Sequence, residues 1–207
     1  MKKINRKFVI ILLAVLIVCG VIGGGIYWYI ARQTIYIDLA QISAPTIALS
    51  PEIPGPLQEI MVNPGDLVNE NTIVARIGDQ LIKTKAAGLI INVNNDLGKI
   101  FNSGAAVATM IIPDQLRVVG RLDENKGLSQ VQVGQRAVFT VDAFSSKKYN
   151  GTVDEISESA RQGDVVFSIS NKRPTNQFDI KIRFDADQYP ELKNGMSAKI
   201  WIYKNGK

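Results

Sequence analysis

The chain has 207 residues, enough for one ordinary domain or two small ones, and its 46% hydrophobic share against 21% charged residues allows packed cores. It contains no histidine and a single cysteine, Cys19. Histidine-dependent hydrolysis, histidine metal sites, intramolecular disulfides and thiolate metal clusters are therefore excluded. Because no nucleophile with a base, phosphate-binding loop or metal cage remains, the sequence predicts a non-enzymatic protein without a cofactor.

The basic character is concentrated at one end of the chain. There are 24 Lys and Arg against 19 Asp and Glu, a formal net charge of +5, but Lys2, Lys3, Arg6 and Lys7 precede a long apolar run. The rest carries 20 basic and 19 acidic residues, a net charge of +1. A nucleic-acid-binding domain carries its excess charge on the folded part, with basic clusters and stacking aromatic residues. We therefore predict no nucleic-acid partner.

The apolar run FVIILLAVLIVCGVIGGGIYWYI, residues 8–30, has no charge in 23 residues. As a helix it would be about 34 Å long, enough to cross a bilayer. The four cations before it and the single Arg32 close behind it place residues 1–7 in the cytoplasm by the positive-inside rule. The aromatic residues at 27–29 suit the outer interface. The sequence thus predicts a signal anchor of a single-pass cell-membrane protein whose bulk is extracytoplasmic.

Other interpretations of this segment are weaker. A cleaved signal peptide would have a shorter apolar core and small residues at a cleavage site. Cys19 as a lipoprotein acceptor is disfavoured because Val18 precedes it and apolar sequence follows. Gly20 and Gly24 form a small-xxx-small pair that could let two membrane helices approach.

From Gln33 onward the sequence has short stretches of period-two alternation, rich in Ile and Val and separated by Gly, Asn, Asp and Pro, which predicts an all-β ectodomain. One short helical stretch, ENKGLSQV, is expected near residue 124. The strands are predicted at residues 34–42, 57–62, 73–77, 81–86, 89–93, 106–112, 116–123, 136–142, 149–156, 165–169, 178–185 and 198–203.

An internal repeat lies within this pattern. PGPLQEIMVNPGDLVNENTIVARI (54–77) and AGLIINVNNDLGKIFNSGAAVATMI (87–111) align at an offset of 33 without a gap. Each copy encodes one supersecondary unit that cannot bury its apolar face alone, so two copies related by pseudo-symmetry should close on each other. The aligned pairs include Gly55 and Gly88, Gly65 and Gly98, Asn69 and Asn102, and Val74 and Val107.

Glycine and asparagine recur where the chain must reverse. Gly65 with Asp66, and Gly98 with Lys99, follow a strand at a place where a tight turn needs a residue tolerant of positive φ. Gly104 supplies the second turn of its copy, and Asn71, the next most tolerant residue type, stands in the equivalent place. The full set of predicted structural turns is Gly55, Gly65, Asp66, Asn71, Gly88, Gly98, Gly104, Gly134 and Gly195.

The repeated half-motif G-x-apolar-x-x-apolar-x-V-x-x-G-D-x-V resembles the biotinyl/lipoyl-like barrel-sandwich hybrid. Three later stretches are similar to the barrel of the HlyD-like membrane fusion proteins, the periplasmic adaptors of bacterial efflux and secretion pumps. They are VVGRLDENKGLSQVQVGQRAVFTV, with Glu124, Gly134 and Gln135; YNGTVDEI; and ELKNGMSAKIWI, with Gly195 and Met196. The resemblance implies a hybrid at residues 48–112 after a linker and first strand at 31–47. It also implies a β-barrel and membrane-proximal region at 113–207, which the strand near residue 36 could join.

The same resemblance implies an adaptor that binds an inner-membrane transporter of ABC or major-facilitator type, contacts membrane lipid and forms a homo-oligomer. One departure is clear: typical adaptors insert a coiled-coil hairpin between the hybrid halves, whereas only Gly78, Asp79 and Gln80 separate Ile77 from Leu81 here. Contact with an outer-membrane duct is therefore not implied, and export across one membrane fits better.

The remaining alternative is a membrane-anchored carrier or structural module of the same fold. A carrier would bear its group on a lysine at the hairpin tip, but the turn is predicted at Gly78 and Asp79, with Lys83 and Lys85 on one face of the next strand.

Neighbouring acidic residues could suggest general acid–base catalysis, but adjacent residues on a strand point to opposite faces. We therefore expect solvated strand edges for Asp123 with Glu124, and for Asp154 with Glu155 and Glu158. The polar stretch 168–178, with Lys172 and Arg173, is a surface loop that could touch a partner or lipid headgroups.

Overall fold

The structure is a computed structural model that describes residues 18, 20, 33–144, 147–160 and 175–204. Of the predicted span at 8–30 only Val18 and Gly20 are described. Within the described ranges, no helix has the length and hydropathy that crossing a bilayer requires. The predictions on Cys19, Gly24, Lys172, Arg173 and the strand at 165–169 lie outside the described residues.

From Gln33 on, the described chain consists of strands and short 3₁₀ turns, which confirms the all-β prediction. In place of the short helix expected near residue 124 there is a 3₁₀ turn at Leu128–Gln130. Three strands were not predicted, at residues 46–49, 67–68 and 100–101, and two of these have only two residues, too few to show alternation. The strands are β1 Thr34–Ser43, β2 Thr46–Leu49, β3 Gly55–Ile60, β4 Leu67–Val68, β5 Ile73–Ile77, β6 Gln80–Lys83, β7 Gly88–Val93, β8 Ile100–Phe101, β9 Ala108–Ile111, β10 Arg117–Asp123, β11 Arg136–Val141, β12 Lys148–Ile156, β13 Gln177–Arg183 and β14 Ser197–Tyr203.

Strands β2 to β9 form two four-stranded sheets, here called the sandwich. The strand orders are β2-β9-β7-β4 and β6-β5-β3-β8, so each sheet has the same arrangement at an offset of 33 residues. The two inner strand pairs are antiparallel, and each sheet receives its short fourth strand from the other copy of the repeat. This exchange ties the two copies together, because neither sheet is complete without the other half.

The hydrogen bonds repeat with the same offset. The amide of Gly65 donates to the carbonyl of Ile90 at 2.8 Å, and the amide of Gly98 donates to that of Leu57 at 2.8 Å. The sandwich core repeats as well: apart from Val62, it consists of pairs 33 residues apart. These pairs are Leu49 and Ile82, Leu57 and Ile90, Val68 and Phe101, Val74 and Val107, Ala75 and Ala108, and Ile77 and Met110. The structural repeat therefore begins earlier than the sequence alignment, with β2 matching β6.

The turns of the two copies have matching backbone conformations. Gly65 and Gly98 have φ of 98° and 80°, and Gly104 and Asn71 have φ of 81° and 64°. Asn71 is the single non-glycine residue with positive φ among the described residues. Asparagine tolerates positive φ better than most residues with a side chain, so one copy can have Asn71 where the other has Gly104.

We expect Gly65→Val and Gly98→Val to destabilise the fold equally, each by about 1–3 kcal/mol. No atom lies within 4 Å of a Cβ built on either residue, so the cost is backbone strain alone. Urea unfolding of the full chain in detergent measures the effect. Asn71→Gly is the control and should leave the unfolding midpoint unchanged or raise it. Wild-type stability of both valine variants would contradict the turn geometry.

Gly55 and Gly88 were predicted as turn residues, and this is wrong. Both are the first residues of strands, β3 and β7, and neither has positive φ. A Cβ on Gly88 would lie 2.5 Å from the carbonyl oxygen of Ile111, and one on Gly55 would lie 3.1 Å from Cγ2 of Ile77. The residues are glycine because neighbouring strands approach closely there.

The other six strands form a closed antiparallel barrel in the order β1-β10-β13-β12-β11-β14. The strand near residue 36 is β1, which pairs with both β10 and β14 and so closes the barrel. Phe139 and Tyr149 stack inside at a centroid distance of 5.2 Å, and Phe184 packs against Phe139 at 5.4 Å. Gly120 leaves room for inward-pointing side chains, since a Cβ there would lie 2.7 Å from Cδ1 of Ile200.

Antiparallel order gives the barrel two distinct ends. At one end the chain passes into and out of the sandwich, through residues 44–45 and 112–116, and Leu89, Ile91 and Ile111 of the sandwich pack against the barrel core. At the other end Thr34 pairs with Tyr203, so β1 begins where β14 finishes. We call this second end the anchored end, because the anchor predicted at residues 8–30 precedes it in the chain.

Candidate docking surfaces

The hairpin tip of the sandwich is the two-residue loop Gly78–Asp79 between β5 and β6, where the turn was predicted. Gly78 has φ of 53°, as the first central residue of a type II′ turn requires, and its amide donates to the carbonyl of Pro56 at 2.9 Å. The two strands are therefore joined directly. This two-residue turn stands where typical adaptors insert a coiled-coil hairpin between the two halves.

Apolar side chains surround the hairpin tip. The Oε1 atom of Gln80 accepts from the amides of Glu52 (3.0 Å) and Ile53 (3.4 Å), which fixes the preceding loop beside the tip. Ile53 is 69% exposed and Leu81 is 41% exposed. A covalently modified lysine would have to stand in the turn, and the turn residues are Gly78 and Asp79. Lys83 is exposed, but it lies at the far end of β6, away from the tip.

A second surface is a groove of about 900 Å³ on the outer wall of the barrel, crossing β1, β10, β12, β13 and β14. Irregularities shape it: β1 shifts register between Ile37 and Ala40, and β12 between Val153 and Glu155. Charged residues of both signs line this barrel groove: Asp38, Arg117, Arg121, Asp142, Asp154, Glu155, Asp179, Lys181 and Lys199.

The register shift in β12 corrects one expectation. Asp154 is the extra residue of the bulge, so Asp154 and Glu155 line the same groove instead of pointing to opposite faces. Each has its own cation: Oδ2 of Asp154 lies 2.7 Å from Nε of Arg117, and both oxygens of Glu155 lie 2.9 Å from Nζ of Lys181. The paired charges suit polar docking better than proton transfer.

The other acidic pair is Asp123 and Glu124, which have separate roles. Oδ2 of Asp123 lies 2.7 Å from Nζ of Lys126, and Nε2 of Gln177 donates to Oδ1 of Asp123 at 2.9 Å. The hydrogen bond from Lys126, followed by that from Gln177, lowers the pKa of the Asp123 carboxyl against the opposing effect of burial. Glu124 is exposed, and its backbone amide donates to the carbonyl of Asn176 at 3.0 Å. Asp123 thus fixes the turn after β10.

Gln135 organises the anchored end. Its side chain is buried, and Nε2 donates to the carbonyls of Gln130 (3.0 Å) and Lys204 (3.2 Å). Its Oε1 accepts from the amide of Gln132 at 3.0 Å. Gly134 precedes it with φ of 91°, and the Gly134 amide donates to Val153 at 2.8 Å. One amide side chain therefore connects the loop before β11 to the end of β14.

The motif ELKNGMSAKIWI, which leads into β14, is hydrogen-bonded to the end of β1 near the sandwich. Gly195 has φ of 92°, its amide donates to the carbonyl of Ile42 at 2.8 Å, and the amide of Ile42 donates to Met196 at 2.8 Å. Oδ1 of Asn194 accepts from the amide of Ala44 at 3.0 Å. The motif thus holds the first connection to the sandwich.

Sequence reasoning did not identify the barrel groove or the outward aromatic residues of β1 and β14. The groove depends on register shifts, which leave no sequence periodicity. The aromatic residues did carry a signal, since Tyr36, Trp201 and Tyr203 occupy the outward positions of alternating strands.

Residues 116–202 match the family model of the YknX-like beta-barrel domain. This part of the barrel, from β10 to β14, is similar to that domain. Among solved structures, the chain is similar to the membrane fusion protein Spr0693 from Streptococcus pneumoniae R6, with a TM-score of 0.58 and 15% identity over 82% of this chain and 97% of that one. It is also similar to MacA from Actinobacillus actinomycetemcomitans, with a TM-score of 0.66 and 12% identity over 83% and 78%.

A third similar structure is a MacA-MexA chimera that contains the Pseudomonas aeruginosa MexA alpha-hairpin domain, with a TM-score of 0.68 and 12% identity over 84% of this chain and 82% of that one. Identities this low show the fold. Together with the YknX-like barrel, they confirm the resemblance to the HlyD-like membrane fusion proteins that the sequence motifs indicated.

Proposed function

We propose that this chain is the non-catalytic, membrane-anchored adaptor subunit of an export system. Residues 8–30 hold it in the cell membrane with residues 1–7 in the cytoplasm, and the YknX-like barrel lies next to the membrane with the sandwich beyond it. The observation that carries the proposal is the order of the parts: the predicted anchor precedes the barrel end where β1 begins and β14 finishes, and the sandwich joins the opposite end.

The proposed partner is an inner-membrane transporter of ABC or major-facilitator type. The barrel groove supports a protein partner, because it presents charges of both signs, some of them paired within the chain as Lys181 is with Glu155, and protein interfaces are complementary in charge. Self-association into a ring is part of the same proposal, with the exposed Ile53 and Leu81 beside the hairpin tip as apolar surface outside the membrane.

The competing function, a covalent carrier module, is less well supported. Its modified lysine would stand at the hairpin tip, where the turn consists of Gly78 and Asp79. The intact mass of the chain purified from its host distinguishes the two functions. An added mass of a carrier group on Lys83 or Lys85 would favour the carrier.

We expect deletion of the gene to abolish export of the partner transporter's substrate, and the full chain to restore it. The reason is that an adaptor is needed for transport although the transporter is intact. Export is measured with transporter abundance held constant by immunoblot, and copurification from detergent tests binding. A chain whose residues 1–32 are replaced by a cleavable signal peptide is the control for anchoring and should fail to restore export. Full export by the deletion strain would contradict the adaptor function.

A further inference from the structure

The outer wall of the barrel carries an aromatic face made by Tyr36, Trp201, Val138, Tyr203 and Arg136. Tyr36 pairs with Trp201, and Trp201 pairs with Val138, so the three stand side by side across β1, β14 and β11. The rings of Tyr36 and Trp201 are 5.2 Å apart. Tyr36 is 46% exposed and Tyr203 is 38% exposed.

Core packing does not account for this face. The inward positions of the same strands are filled by buried aliphatic residues, including Ile37 on β1 and Ile200 and Ile202 on β14. Strand alternation then turns the neighbouring residues outward, where a soluble surface would favour charged or small polar side chains. Large aromatic side chains on an outer wall indicate a surface that contacts something.

The aromatic face lies at the anchored end. Tyr203 pairs with Thr34, and the amide of Lys204 donates to Gln33 at 2.9 Å. Four Cα–Cα steps lead from Ile30, the end of the apolar run, to Thr34, which limits the distance between these two residues to about 14 Å. Tyr36 and Trp201 are about 7 Å farther along the strands. A spanning helix at 8–30 therefore keeps the face within reach of the headgroup region.

The chemistry of the face matches that region. Tyrosine and tryptophan are enriched at membrane–water interfaces, because one part of each ring is apolar and the other can form hydrogen bonds. The hydroxyl of Tyr36 donates to Oδ1 of Asp38 at 2.7 Å, which leaves the ring's apolar surface available. The guanidinium of Arg136 lies over the Tyr203 ring at 5.8 Å, and Lys204 follows at the edge, so cations stand beside the aromatic rings where lipid phosphates would be.

We infer that the aromatic face rests on the outer leaflet of the cell membrane, with its rings at the depth of the headgroups and Arg136 and Lys204 against lipid phosphate. The inference rests on the anchoring proposed above. The contact fixes the barrel's rotation about the anchor. The barrel groove adjoins this face at Asp38, which accepts from Tyr36 and also lines the groove.

The chain contains two tryptophans, Trp28 in the predicted span and Trp201 in the face, which makes the test direct. The full-length Trp28→Phe variant is reconstituted into phosphatidylcholine vesicles that contain a lipid with a nitroxide on its headgroup or deep in its acyl chain. We expect Trp201 fluorescence to be strongly quenched by the headgroup nitroxide and little by the acyl-chain nitroxide. Arg136→Gln in the same background should weaken the headgroup quenching.

Two further variants separate the possible outcomes. Trp201→Phe leaves Trp28 as the reporter of the anchor, and its quenching in vesicles tests the anchoring itself. Leu81→Trp in a chain lacking both tryptophans places a reporter on exposed β6 of the sandwich, which should not be quenched. Quenching of Trp28 without quenching of Trp201 would overturn the inference and leave the anchor intact; absence of both would overturn the inference and the anchoring. Protection of Trp201 from iodide only when the transporter or a second copy is bound would also overturn it, in favour of a protein contact.

Discussion

Gly88→Ala should destabilise the sandwich by about 3 kcal/mol, at the upper end of the range for overpacked interiors. A Cβ on Gly88 would lie 2.5 Å from the carbonyl oxygen of Ile111 and 2.3 Å from Cε of Met110. The methionine end can move, but the carbonyl belongs to β9, which is hydrogen-bonded to β7. Strand β7 would have to withdraw from its neighbour, and its pairing with β4 through Val68 would be strained as well.

Hydrogen exchange of peptides from β7 and β9, read by mass spectrometry on the full chain in detergent, measures the loss of local stability. Barrel strands serve as the internal reference. Gly55→Ala is a matched control, since Gly55 is the equivalent residue of the other copy and its Cβ would meet Cγ2 of Ile77 at 3.1 Å. A side-chain methyl can shift where a backbone carbonyl cannot, so this variant should lose about 1 kcal/mol or less. Equal effects of the two variants would show that the close approach at Ile111 does not decide the stability.

Gln135→Leu should destabilise the anchored end of the barrel by about 3 kcal/mol, because it leaves the amide of Gln132 and the carbonyls of Gln130 and Lys204 without their partner. A leucine has about the same volume, so the lost hydrogen bonds, not a cavity, cause the effect. We expect faster hydrogen exchange in the loop 124–135 and at the end of β14, with the sandwich unchanged.

Gln132→Ala is the control for this substitution. The Gln132 side chain is exposed, and its backbone amide, which donates to Gln135, is retained. The change should therefore stay within about 0.5 kcal/mol of wild type. Amide hydrogen exchange at the wild-type rate in the Gln135→Leu variant would show that water replaces the three hydrogen bonds and that Gln135 does not stabilise this end of the barrel.

Much of the fold could be predicted because it depends on local pattern. Period-two alternation located the longer strands, and two copies of one motif predicted a pseudo-symmetric unit. The pairing of Asn71 with Gly104 was readable because few residue types accept positive φ. A barrel similar to that of the membrane fusion proteins was indicated by motifs such as the one around Gly195, whose turn bonds to β1.

The errors have a common physical cause. Gly55 and Gly88 looked like turn residues because glycine serves two purposes, and the sequence does not distinguish positive φ from close strand packing. The bulge that brings Asp154 and Glu155 to one groove depends on the register between β12 and β13, which no run of residues in β12 alone reveals.

The sequence by itself determined the all-β character of the chain from Gln33 on, the repeat and the two-residue hairpin at Gly78–Asp79, since all three follow from short-range periodicity and turn chemistry. Tertiary structure alone decided the exchange of β4 and β8 between the sheets and the position of β1 between β10 and β14. It also decided the alignment of Tyr36 with Trp201. Those features bring together residues that are far apart in the chain. They depend on which sheet edges and apolar faces remain to be covered once the local strands have formed.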